Sequence, residues 1–348
     1  MATTTTTDAR ALAIGLLGAS LSLFAFATTA CAEQAPPPAP VAASRPAPAS
    51  RGLLEFAPAA GLRWIVIGSP RRIRADRELG QSLGLIFEPA RLDAFALSTG
   101  FRLDRLTYGA IAGYDLGTLY LGELEGTEAP EVRARFSARL KEGGVVRSHS
   151  GLHRIVGTTS SGSVRALVTV EDRYLAFASG DPTLARIVEA YAENRLRSPT
   201  VLRGAGLREL PPLATETLAA FLAPGPFTGE WAGAASGIVA SADAVCIEAR
   251  STSGGRLRAT LTLVGSFAPS DGALEKLELA WKELKESSTG RLLGLDQASP
   301  LEAQLHLQSL TLGADLLIGP LARGLRAATS ADVWEILDLG ETKADPPP

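Results

Sequence analysis

Between Val245 and Leu263 the side chains alternate with a period of two, and that pattern most constrains what this chain can fold into. Leu257, Ala259, Leu261 and Leu263 alternate with Arg256, Arg258, Thr260 and Thr262. Val245-Cys-Ile-Glu-Ala-Arg250 alternates in the same way, and Ser253-Gly-Gly255 joins the two runs. Alternation of this kind predicts paired strands with one buried face, and a Gly-rich junction predicts a hairpin. Glu248 and Arg250 then share a face with Arg256 and Arg258, where opposite charges are expected to pair across the strands.

The same reading extends over the rest of the body. Arg63–Gly68 predicts a short buried strand. Thr107–Gly113 and Leu116–Glu123 predict a hairpin, and strands follow at 145–148, 153–158, 164–170 and 173–179. Helical spacing covers Ile73–Phe87 and Pro89–Leu97. Pro130 opens a helix with Val132, Phe136 and Leu140 on one stripe, while Arg135 and Arg139 point away. Asp181-Pro182 opens a helix that buries Leu184, Ile187, Val188 and Tyr191. In the second half Ser270 is expected to cap a helix with Leu274, Leu277, Trp281 and Leu284 on its stripe. Leu305–Leu312 reads as one strand, Leu316–Leu325 as a helix, and Ser330 as the cap of a last helix through Leu337. The expected class is α+β, with antiparallel sheets and amphipathic helices packed on one face. Two similar-looking halves are expected, 53–198 and 213–340, joined by a linker at 199–212 and followed by a disordered tail at 341–348.

The body holds one thiol, Cys246, so no disulfide framework can hold it and its core must. The alternation turns Cys246 away from the Val245/Ile247 face and predicts an inert, half-buried thiol. A net charge of -3 gives no nucleic-acid footprint, so no such partner is expected. Five lysines against twenty-nine arginines look like codon bias rather than mechanism.

No S-x-x-K, P-loop or C-x-x-C motif occurs. His149 and His153 stand at i,i+4, which would suit a metal on a helix. Ser150-Gly151 between them makes a hairpin turn the better reading, and His306 reads as structural. No metal or other cofactor is expected. Arg71, Arg72, Arg74 and Arg77 form the densest basic cluster; a solvated helix start is the plain reading, and anionic headgroups or glycans are what such a cluster would bind. Trp231, in Gly229-Glu-Trp-Ala-Gly233, is the one tryptophan in a Gly-rich exposed context and the aromatic to test for ligand contact. Trp281 and Trp334 fall on apolar stripes and read as core.

The first fifty residues differ in kind. Residues 11–27 are apolar and uncharged, too short for a span of about 20 residues but suited to the core of an export signal covering residues 1–30. Thr28-Thr-Ala-Cys31 is similar to a bacterial lipobox, with Thr28 where Leu is usual. Ala30-Cys31-Ala32 could instead direct cleavage before Glu33, and an uncleaved anchor is a third reading. From Ala35 to Ala49 the chain is Pro/Ala-rich, which predicts an extended spacer within 31–52. Leader, cysteine and spacer together resemble uncharacterised envelope lipoproteins of high-GC Gram-negative bacteria, myxobacteria especially. The resemblance implies lipidation of Cys31 and retention at the outer membrane, because Ala32 rather than Asp follows; a soluble periplasmic or secreted protein is the alternative. The expected partners are the membrane, through the lipid, and an envelope protein, lipid or glycan. The expected role is non-catalytic binding or scaffolding. The alternatives are a hydrolase with a site assembled from distant residues, a lipid or glycan carrier whose mark would be a greasy groove under the sheet, and a structural spacer.

Overall fold

The computed structural model describes residues 52–84, 89–126, 128–204, 206–267, 272–306 and 308–328. The expected signal, Cys31, nearly all of the spacer, the Ser270 cap, the helix from Ser330 with Trp334, and the tail lie outside the described residues.

Strands β1 (Leu62–Gly68), β2 (Tyr108–Tyr114) and β3 (Gly117–Glu123) form an antiparallel meander. Helices α1 (Pro70–Ala75), α2 (Arg77–Leu83) and α3 (Pro89–Thr99) lie within the β1–β2 connection. After α4 (Ala129–Ala138) come β4 (Val145–His149), β5 (Leu152–Thr158), β6 (Val164–Val170) and β7 (Tyr174–Gly180), and β7 docks on β3. Helix α5 (Thr183–Ala192) closes this half. The second begins with another meander, β8 (Thr217–Pro224), β9 (Ala242–Thr252) and β10 (Arg256–Gly265). Helices α6 (Ala273–Glu286) and α7 (Ser288–Leu292) lead to the hairpin β11 (Glu302–His306) and β12 (Ser309–Leu317), and α8 (Ile318–Ala328) follows. β12 docks on β10 as β7 docks on β3.

β1 and β8 pair, so both halves share one antiparallel sheet in the order β11-β12-β10-β9-β8-β1-β2-β3-β7-β6-β5-β4. One apolar row crosses its whole width. From Val66 it runs through Ile111, Tyr120, Phe177, Leu167 and Ile155 to Val146. The other way it runs through Phe221, Ile247, Leu261 and Leu312 to Ala303. The next row on that face is small: Gly68, Gly109 and Gly122 one way, and Ala219, Ala249, Ala259 and Ala314 the other.

The α+β class with an antiparallel sheet is as the sequence predicts, but helices cover both faces rather than one. Helices α3, α4 and α6 pack on the face of the apolar row, where Leu92, Phe95, Val132, Phe136 and Leu277 are buried. Helix α5 packs on the other face, burying Leu184, Ala185 and Val188 against Ala166, Val168 and Ala176. The cause is burial on both sides: β6 presents Leu167 to one face and Ala166 and Val168 to the other, so each side needs a cover.

Three local expectations are corrected. Leu305–Leu312 is a hairpin, because His306 pairs with Ser309 and the chain reverses between them. β12 then runs on to Leu317, so the last described helix starts at Ile318 and not at Leu316. The charged pairs of the β9–β10 hairpin also differ. Arg258 faces Arg250 directly, and each arginine turns to carboxylates elsewhere. Arg250 bonds Glu248 on its own strand at 2.6 Å, and Arg258 bonds Glu302 on β11 and approaches Asp315 on β12 at 3.4 Å. Two opposed guanidiniums repel, and each finds its carboxylate away from the other.

Candidate functional site

The apolar row is filled differently in the two halves. Over β8–β12 it is covered by α6 and by the 3-10 segment Gly229–Ser241, which buries Ile238 and Val239. Over β2, β3, β7 and β6 the cover is incomplete, and a groove of about 110 Å³ remains. Its floor includes Ile111, Tyr120, Leu167 and Phe177 of the apolar row, and Gly109 and Gly122 of the small one. Its walls come from α3 and α4, chiefly Phe95, Val132 and Phe136, and from Pro70 at the start of α1. Leu103 and Leu106 close one side.

Aromatic side chains fix its shape. Phe177 stands between Tyr120 and Phe136, with ring centroids 5.7 and 5.8 Å away. Phe95 meets Phe101 edge to face at 5.4 Å. Edge-to-face and tilted pairs of this kind hold rings in place beyond what burial alone supplies. The two glycines matter because strand positions there would otherwise raise side chains into the space. At Gly122 the room has gone to Leu106, whose Cδ2 lies 3.3 Å from where a Cβ would sit. A neighbouring glycine does the same for Trp64: the indole lies against Gly113, 2.5 Å from an added Cβ.

A charged clamp holds one wall. Asp104 is fully buried, and its carboxylate accepts hydrogen bonds from Arg102 at 3.0 Å and from Arg74 at 3.4 Å. Arg102 also donates to Asp93 on α3 at 2.6 Å. The hydrogen bond to Asp104 raises the Arg102 guanidinium above its ordinary value, against the opposing effect of burial. The clamp ties α1, α3 and the 103–105 turn into one frame beside the groove.

Among the described residues the groove lining contains no carboxylate, histidine, serine or cysteine; its polar side chains are Thr99, Tyr120 and Arg139. The Thr99 hydroxyl donates to the Phe95 carbonyl at 2.8 Å, and Arg139 donates to the Ser98 carbonyl at 2.9 Å. This arrangement presents apolar surface and, among the described residues, offers no acid–base pair for chemistry on a ligand.

The sequence-predicted residues lie elsewhere. The four arginines do not form one anion site. Arg71 lies 3.2 Å from Glu125, Arg72 donates to the Thr215 carbonyl and stands 6.0 Å over the Tyr108 ring, and Arg74 is spent on Asp104. Arg77, exposed, starts α2. A six-residue helix turns successive arginines to different sides, which disperses a cluster that looks dense in sequence. Trp231 lies in the 3-10 segment, and its side chain is outside the described residues. His149 and His153 flank the β4–β5 hairpin turn, as the sequence predicts, and His153 Nδ1 lies 2.9 Å from Ser148 Oγ. This Ser/His pair sits on an edge hairpin, away from the residues that line the groove. His306 lies on β11. Cys246 is more deeply buried than predicted, at 4% exposure, and burial with the nearby Glu248 pushes its thiol up to about 12. Trp281 packs partly buried against the core, with its indole N–H unbonded among the described residues. No group of three or more metal-binding side chains occurs among the described residues.

The groove itself went unread in the sequence. The available signal was Gly109 and Gly122, isolated glycines inside strands, which mark close approach or missing side chains.

No protein-family model matches the chain, and no curated protein matches it. Among solved structures, crystal form I of TP0453 aligns over 81% of this chain and 99% of its own, at 10% identity and a TM-score of 0.43. Crystal form IV of TP0453 aligns over 79% and 96%, at 10% identity and a TM-score of 0.42. Similarity this distant identifies neither a fold nor an activity.

Proposed function

We propose that this chain is an exported envelope protein, anchored by lipid at Cys31, that binds an apolar chain in the groove between its sheet and α3/α4. The groove carries the binding half of this reading. Its lining is apolar and, among the described residues, lacks groups for acid–base chemistry, and Ile111, Tyr120, Phe101 and Phe177 remain only half-buried in it. Unfilled apolar surface of this kind gains by covering it with hydrocarbon, at about 25 cal/mol per Å² removed from water. A lipid or other hydrocarbon ligand fits that chemistry better than a glycan, which needs hydrogen-bonding side chains.

The address rests on sequence: the apolar run at 11–27, small residues before Cys31, and the Pro/Ala spacer behind it. Among the described residues no helix is long and apolar enough to cross a membrane. A chain tethered at Cys31 would stand off an outer membrane by the reach of its spacer, about 3.1 Å per extended residue.

A structural duplication also belongs to this reading. Each half is a three-stranded meander, then a helix on the face of the apolar row, then a hairpin whose last strand docks on the third, then a helix. The antiparallel β1–β8 pair, with Val66 opposite Phe221, is where a twofold relation between the halves would pass. The first half carries an extra hairpin and the groove.

The binding test is a titration of the purified chain with N-phenyl-1-naphthylamine, whose fluorescence rises in apolar sites. Saturable binding that is lost in Ile111→Arg, with folding retained by circular dichroism, supports the reading. No saturable binding to the parent chain overturns it. The anchor test is intact mass of the native protein with a Cys31→Ala control. An unmodified chain starting at Glu33 in both overturns lipidation.

A further inference from the structure

Beside the groove lies a second, polar cavity of about 660 Å³ at the ends of β2, β3 and β7. The two cavities are neighbours through the chain. Arg71, Thr107 and Glu123 line the polar one, and the residues just before them, Pro70, Leu106 and Gly122, line the groove. Backbone bonds hold these three segments together. Arg71 N–H donates to the Leu106 carbonyl at 3.2 Å, and Thr107 N–H donates to the Glu123 carbonyl at 3.0 Å. The apolar groove and this charged vestibule therefore adjoin at three separate elements, one residue apart in the chain at each.

The vestibule carries charge of both signs. Arg71 and Arg173 line it, each held by one carboxylate, Glu125 and Glu123 respectively. Each guanidinium has five N–H donors, so one ion pair leaves donors over for a ligand. Glu171 and Asp172, in the β6–β7 turn, bring the carboxylates to four against three arginines, Arg133 of α4 holding Asp172. A purely anionic head would meet that acidic excess as like charge. A purely cationic head would leave both guanidiniums unused. A head with a phosphate and an ammonium satisfies both: arginine binds phosphate through paired N–H groups, and Glu171 in the turn receives the ammonium.

Building on the groove reading, we infer that the vestibule is a head-group site and that the ligand is a zwitterionic amphiphile, a single apolar chain ending in a phosphate ester that carries an ammonium group. Arg173 and Arg71 take the phosphate, Glu171 takes the ammonium, and the chain lies over Ile111 and Phe177.

The test is calorimetric titration of the full chain with three ligands that share one twelve-carbon chain: dodecylphosphoethanolamine, laurate and dodecylammonium. The zwitterion is expected to bind at least tenfold tighter than either of the others. Arg173→Gln is expected to weaken the zwitterion about tenfold relative to dodecylammonium, and Glu171→Gln to weaken it relative to laurate. Comparing ratios within each variant removes any general loss of fold. Equal binding of the three heads, or unchanged ratios in the variants, overturns the head-group site while leaving the groove reading intact. No binding of any of them overturns the groove reading and this inference with it.

Discussion

Tyr120 on β3 and Phe177 on β7 face each other across one strand pair, with ring centroids 5.7 Å apart and planes inclined at 50°. They are also neighbours in the apolar row that crosses all twelve strands. Val66, Phe221 and Leu312 in that row are buried, whereas Tyr120 and Phe177 stay half-buried where the cover by α3 and α4 is incomplete. The contact is thus part of the core and part of the groove floor.

Phe177→Ala should lower stability by about 2 kcal/mol, less than the ~3–5 kcal/mol of a fully buried Phe→Ala change, because the ring is only partly covered. Urea denaturation followed by circular dichroism reads this directly. A loss below about 0.5 kcal/mol would mean the ring is not packed between Tyr120 and Phe136 as described.

Phe221 lies on the β1–β8 seam, opposite Val66 and 2% exposed. Phe221→Ala should cost about 4 kcal/mol. Since one sheet runs through both halves, the loss should appear in a single unfolding transition. A variant that melts one half and leaves the other folded would contradict the shared sheet.

Gly113→Ala places a Cβ within 2.5 Å of the Trp64 indole, and the ring must leave. The expected result is a loss of about 1–3 kcal/mol with a red-shifted tryptophan emission. Trp64→Ala combined with Gly113→Ala should cost less than the sum of the two single changes, because the clash exists only when both side chains are present.

Burial raises the Cys246 thiol from an ordinary value of 9.0 to about 12. Above pH 9 the unfolded chain loses this proton while the folded chain keeps it. The folded state then binds more protons, so stability falls as pH rises from 9 towards 12. The slope from this group is about 1.4 kcal/mol per pH unit. Cys246→Ala should flatten the stability curve by that amount between pH 9 and 11, measured as the difference between the two proteins in urea. Identical slopes would place the thiol in water.

Much of the sheet was legible because half-buried strands alternate. The β9–β10 hairpin, the β2–β3 hairpin and β4–β7 all follow from period-two patterns and short turns. β8 did not, because Thr217–Pro224 is central and buried on both faces, and a continuous apolar run carries no period. The β11–β12 turn was hidden for a different reason: no Gly, Pro, Asn or Asp marks the reversal between His306 and Ser309. The groove was the least legible feature. Its lining gathers residues from β2, β3, β6, β7 and three helices, and only register brings Gly109, Ile111, Tyr120 and Phe177 together. The dense arginine cluster, easy to see in sequence, was scattered by the turn of a short helix.

The most direct test locates the ligand. The chain is labelled with carbon-13 at Ile, Leu and Val methyl groups and titrated with dodecylphosphoethanolamine under nuclear magnetic resonance. The account predicts saturable shifts at Ile111, Leu121, Val132, Leu167 and Leu175, which line the groove, and none at Leu257, Leu316 and Leu325 in the separate core cluster over the other half. Shifts confined to that second cluster, or no shifts at all, would contradict it.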